Sequence, residues 1–158
     1  MREAVLHIAS QFAAASAEPL AGHPLARFIR HVWPARLRAI MPRRFQPYLV
    51  HGSAGAGHWA GVPWVAVFDP AVTESATREY FVTYLMSADM RRLYLSLIQG
   101  TADVHAGFPA VYAEELRRRA RLMRARLAYQ GARFSAEPID LASSGPLARA
   151  YAAAHALG

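Results

Sequence analysis

Two apolar-rich runs, Tyr80–Met86 and Leu93–Gln99, flank the polar stretch 87–92, and no other pattern constrains the fold of this chain as strongly. Aromatic and branched residues on both sides of a turn-length polar spacer predict an antiparallel hairpin. With the turn centred on 88–91, Phe81 pairs with Ile98 and Thr83 with Ser96. One face then carries Val82, Tyr84, Met86, Leu93, Leu95 and Leu97, and this is the expected dry core. The other carries Phe81, Thr83, Leu85, Tyr94, Ser96 and Ile98, where rings and opposed hydroxyls suit a ligand.

The rest of the chain supplies both strands and helices. Apolar spacing predicts helices over 2–17, 25–33 and 35–40, with prolines setting the boundaries. A short strand at 48–51 leads into a glycine-rich loop at 52–57, and the apolar run 62–68 reads as a central strand. A long helix is expected over 109–130, with Tyr112, Leu116, Ala120, Met123 and Leu127 on its apolar stripe and Gly131 ending it. A closing strand at 138–141 and a helix over 146–156 complete the reading. The expected architecture is α+β: a curved mixed or antiparallel sheet of about five strands, packed with N-terminal helices and one long arginine-rich helix. One domain accommodates all 158 residues, divided into a helical N-terminal region (residues 1–47), the sheet with its long helix (residues 48–141), and a C-terminal helix (residues 142–158). The first seventeen residues resemble a signal peptide only superficially, because Glu3, His7, Ser10 and Gln11 interrupt the apolar run. No apolar stretch is long enough for a membrane span, and a cytoplasmic location without a membrane partner is the expectation.

Eighteen basic residues against eleven acidic give a net charge of +7, which makes a polyanion the first partner to consider. All eighteen are arginine. The absence of lysine excludes P-loop nucleotide binding and Schiff-base chemistry, and the absence of cysteine excludes disulfides, thiolate zinc sites and thiol nucleophiles. Arg117, Arg121 and Arg124 recur on one face of the long helix with Arg118, Arg119 and Arg126 beside them. Such a face either interacts with solvent, helped by a Glu114–Arg118 pair, or matches phosphate oxygens with guanidinium forks. Arg91 and Arg92 at the hairpin tip offer a second contact.

Other chemistry fares worse. The glycines at 55, 57 and 61 have the wrong spacing for a dinucleotide fingerprint, and a strand follows them where a helix is required. The seven histidines show no ligand pair at helical spacing, so no metal or cofactor is expected. Ser53, His58 and Asp69 match a catalytic triad in residue type alone, without a nucleophile elbow. The chain is therefore read as a non-enzyme.

The segment from Gly52 through Trp59, Pro63-Trp64 and Val65-Ala66-Val67-Phe68-Asp69 resembles the MrcB-like N-terminal domain of McrB-type modification-dependent restriction proteins. The similarity continues through Thr73, Ser75-Ala76, Tyr80 to Leu85, Asp89-Met90, Tyr94 to Gly100 and Ile139-Asp140-Leu141. Two departures stand out: Ile98 replaces a usual asparagine, and the acidic and Gly-Asn residues expected after Tyr151 are missing. The resemblance implies a DNA-sensing module that acts with a motor or nuclease domain or subunit absent from this chain. It also suggests, by analogy, a PUA-like sheet that holds one base extruded from modified double-stranded DNA. Trp59, Trp64, Phe81 and Tyr94 are then the candidate pocket walls, with Trp59 preferred because it follows the glycine loop. Ser53, Asp69, Thr83 and Gln99 are candidates for the base edge, and Arg91, Arg92, Arg117, Arg118, Arg121 and Arg124 for the DNA backbone. The competing class is a protein-interaction or scaffold domain whose tryptophans are core and whose arginines only solvate.

Overall fold

Helix α1 (Arg2–Ala15) places Ala4, Ile8, Phe12 and Ala15 on one buried stripe, which turns an alanine-rich segment into a packing helix. The computed structural model describes residues 1–127 and 134–158. After α1, His23 caps α2 (Pro24–Arg27), its ring nitrogen accepting from the Leu25 amide at 3.1 Å. A π-helical turn (Phe28–Val32) then passes directly into α3 (Trp33–Ile40). The expected break at Pro34 does not occur. The Trp33 amide reaches back to the Phe28 carbonyl, and the widened turn carries the helix into Pro34, which sits in the first turn of α3 where its missing N–H costs little.

Five strands follow: β1 (Leu49–Ser53), β2 (Trp64–Phe68), β3 (Tyr80–Met86), β4 (Leu93–Gln99) and β5 (His155–Leu157). They lie in chain order, every neighbouring pair antiparallel, with one register shift at Leu97/Ile98 beside β5. The fold is α+β with five antiparallel strands, as expected, but the sheet is open and uncurled where a curved one was expected. The hairpin register is the expected one, with Phe81 opposite Ile98 and Thr83 opposite Ser96. Its turn is held by Ser87 and Asp89: the Ser87 amide donates to the Arg92 carbonyl at 2.9 Å, and the Arg91 amide donates to the Asp89 carboxylate at 3.1 Å.

The assignment of faces is reversed. Phe81, Thr83, Leu85, Ser96 and Ile98 are all buried, whereas on the expected dry face Met86 is buried but Val82 is 39% and Leu93 37% exposed. The reason lies in the helices that land on each side. Alanines and Leu116 of α5 (Tyr112–Arg126) and α6 (Pro146–Ala154) pack on the Phe81 face with Phe68, Ile139 and Leu141. The hydroxyls there are used internally: Thr83 donates to the Val65 carbonyl at 3.1 Å, and Ser96 lies 2.7 Å from His155 Nδ1. On the opposite face, α1 to α3 bury Ile8, Phe12, Ile29 and Trp33 against Val50, Val65 and Met86, which leaves the β3–β4 end uncovered.

Three further expectations are corrected. A short helix, α4 (Ala102–Gly107), precedes α5, so the long helix begins at Tyr112 and not at 109. The strand expected at 138–141 is irregular, and the fifth strand instead comes from His155–Leu157, where the helix expected to reach 156 has already ended. Finally, Glu115 and not Glu114 pairs along α5. The expected end of that helix at Gln130 and Gly131 lies outside the described residues.

Candidate nucleic-acid interface

Along β1, His51 and Ser53 point to the same side as Trp64, because Ser53 is the register partner of Trp64. Between them Gly52 meets the π-helical turn at closest approach: a Cβ there would lie 2.0 Å from the Ile29 carbonyl oxygen. Only glycine permits this contact. It brings α3 beside the edge strand and leaves a cleft of about 730 Å³ lined by Arg30, His31, Arg38, His51, Ser53 and Trp64. That volume lies within the usual range of roughly 300 to 1,000 Å³ for small-molecule sites. Arg30 is held by donating from Nη2 to the Gly55 carbonyl at 2.9 Å, which ties the glycine loop to the π-helical turn. Arg38 donates to the Gln46 carbonyl at 3.3 Å, and Ser53 Oγ accepts from the Gly55 amide at 3.2 Å.

Trp64 is half-buried and belongs to a second, tighter group as well. With Phe81, Thr83, Leu85, Ile98 and Tyr151 it closes around a space too small for a water molecule. Burial raises the Tyr151 pKa, with the Trp64 side chain acting in the opposite direction. Of the candidate pocket residues, Trp64, Phe81 and Thr83 therefore meet, but on the Phe81–Thr83 side they are packed solid.

The remaining candidates are dispersed. Trp59 stands against α1, its ring edge-on to Phe12 at 5.5 Å and to His23 at 5.1 Å, and its indole N–H donates to the Glu18 carbonyl at 2.8 Å. It borders a different cleft, lined also by Asp89 and Met90. The Tyr94 hydroxyl donates to the Asp140 carbonyl at 2.9 Å, pinning the irregular 138–141 segment. Gln99 is buried and donates to the Leu116 carbonyl at 2.8 Å, which holds α5 on the sheet. Asp69 closes the turn after β2 by accepting from the Ala71 amide at 2.9 Å.

The arginines also separate by surroundings. Arg92 pairs with Asp140, while Arg91 is exposed. Arg118 and Arg119 both bind Glu115 at 2.7 Å. Their three hydrogen bonds, two from Arg118 and one from Arg119, hold the Glu115 carboxyl at about 2, well below its ordinary 4.5. A depressed carboxyl pKa contributes stability that is complete above 4.5 and is lost as pH falls towards 2. Glu115→Gln is accordingly expected to flatten the acid limb of a melting-temperature profile in that window. Identical acid limbs for variant and parent would refute the assignment.

The residues sequence reasoning missed are Arg30, His31, Arg38 and His51. Some of the signal was present, since Arg30, Pro34 and Arg38 recur at i, i+4 and i+8 on one helical face. Among the described residues no three His, Cys, Asp or Glu side chains gather as a metal site, and no helix is long and apolar enough to cross a membrane.

No curated protein and no solved structure matches the sequence significantly. A family match does exist, described as "MrcB-like, N-terminal domain", and it covers residues 7–158. The hairpin, the glycine loop and the Trp64 strand all fall inside that span, and the chain belongs to the MrcB-like N-terminal domain family, with the role in a restriction-type system that membership implies.

Proposed function

We propose that this domain is a binding module and not an enzyme: it grips duplex DNA and reads a modified base turned out into the cleft between α3 and β1. The observation that carries this reading is the cleft itself, ligand-sized, flanked by Arg30 and Arg38, with the half-buried Trp64 in its wall. A base hidden in a duplex must leave the stack to be inspected by a pocket, and an aromatic face offsets some of the few kcal/mol this requires. Arginines on both sides suit the flanking phosphates. The PUA-like analogy called for a curved sheet and gains nothing from an open one, so the reading rests on the cleft and its aromatic wall. Arg91 and the α5 arginines extend the positive surface, and an effector motor or nuclease domain or subunit completes the restriction function.

The test is duplex binding across a salt series. With about four to six phosphates neutralised, the log–log slope is expected near roughly −4 to −5. Trp64→Ala is expected to reduce the modified-to-unmodified affinity ratio by about 1 to 3 kcal/mol of lost stacking while leaving the slope unchanged. Absence of binding in low salt, or an unchanged ratio in folded Trp64→Ala, would refute the reading. A protein-interaction role has its own supporting observation, the apolar Val82, Leu93 and Leu95 left open on the sheet, and it predicts salt-insensitive association.

A further inference from the structure

Arg117, Arg121 and Arg124 do not face open solvent alone. Together with Arg149 of α6 they line a concavity of about 370 Å³ between the two helices, its wall completed by Ala136, Pro138 and His155. We propose that this concavity is a phosphoryl-binding seat, distinct from the Trp64 cleft and independent of whether that cleft reads a base.

Three features separate it from a merely solvated helix face. The fourth guanidinium comes from another helix, so the charges converge from two sides, whereas a solvating face spreads them outward. Among the described residues, none of these four arginines is in an ion pair, and no acidic side chain lines the space. Four like charges around one hollow repel each other, a cost that an oxyanion removes and that guanidinium forks are shaped to exploit. The frame is also fixed before anything binds. Arg124 donates from Nη1 to the Ala136 carbonyl at 2.9 Å, and the imidazole of His155 is held by its contact with Ser96 at 2.7 Å. Burial, reinforced by Arg124, lowers the His155 pKa, so the ring adds no fifth charge near neutral pH. The volume exceeds what one phosphoryl group fills and sits at the lower end of the roughly 300 to 1,000 Å³ seen for organic ligands. The fitting occupant is a phosphoryl group carried on a sugar, supplied either by the DNA backbone or by a free nucleotide.

The intact chain is titrated with inorganic phosphate, then with dAMP, each against sodium chloride of equal ionic strength, with binding read by calorimetry. Saturable phosphate binding beyond the chloride control is expected, tighter for dAMP. Arg121→Gln and Arg149→Gln are each expected to weaken it about tenfold, the loss of one charged hydrogen bond. Arg44→Gln, which removes the same charge from an exposed position elsewhere, is expected to leave it unchanged. Displacement of bound dAMP by duplex DNA identifies the backbone as the source, and simultaneous binding identifies a free nucleotide; either result supports the seat. No saturation above chloride, or an Arg149→Gln variant that binds as the parent does, overturns it. Trp64→Ala should bind phosphate normally, so failure of the base-reading proposal and failure of this one remain distinguishable.

Discussion

Gly52→Ala is expected to destabilise the domain by about 3 kcal/mol or more, the upper end of overpacking penalties. The added methyl would stand 2.0 Å from the Ile29 oxygen and 3.0 Å from its carbonyl carbon. Both are backbone atoms of the π-helical turn, so no side-chain rotation relieves the clash. Either β1 separates from that turn or the turn rewinds, and both movements deform the cleft that Arg30 and Trp64 border. Gly61→Ala is the natural control, because a Cβ at that position meets nothing within 4 Å. Denaturant unfolding of the two variants decides the matter. Equal midpoints for Gly52→Ala and the parent would show that the close approach is dispensable.

The second large effect is expected at Trp59. Truncation to alanine should cost about 3 kcal/mol, as at a packed aromatic site. The ring joins the glycine loop to α1 through Phe12, and the indole N–H bond to Glu18 is the only polar link its side chain makes among the described residues. In protein that remains folded at low temperature, discrimination between modified and unmodified DNA should persist. Trp64→Ala is expected to lose discrimination, and because one side of its ring packs against Phe81, Leu85 and Tyr151 it is expected to lower stability as well. If Trp59→Ala melts like the parent and loses discrimination, Trp59 is the reader and the Trp64 cleft is not.

What could be read in advance follows from how local each signal was. The β3–β4 register was legible because the polar stretch between Met86 and Leu93 fixes the turn, and pairing follows from it by counting. Which face would be dry was not legible. Both faces carry apolar residues, and the outcome depends on α5 and α6, whose alanines give little directional signal. The fifth strand was hidden for a similar reason: His155, Ala156 and Leu157 continue an alanine-rich helix without a glycine or proline to mark the change. For the candidate site, Trp64 and Ser53 were identified as residues, but their neighbourhood was not. Arg30 and Arg38 reach it only because Gly52 lets a helix approach the edge strand, a contact between segments that pattern reading treats separately.

The strands follow one another across the sheet in the order in which they occur along the chain. From β1 to β4, each pairing therefore closes a short loop and has low contact order, so this meander can zip up hairpin by hairpin with little entropy lost per closure. β5 is different, since three helices, α4 to α6, and the intervening chain must be gathered before it can reach β4. The Arg149 side of the phosphoryl seat and the Ser96–His155 contact belong to that late-closing unit. Assembly of the domain thus runs from a locally encoded sheet that carries Trp64 towards a distantly encoded arginine pocket.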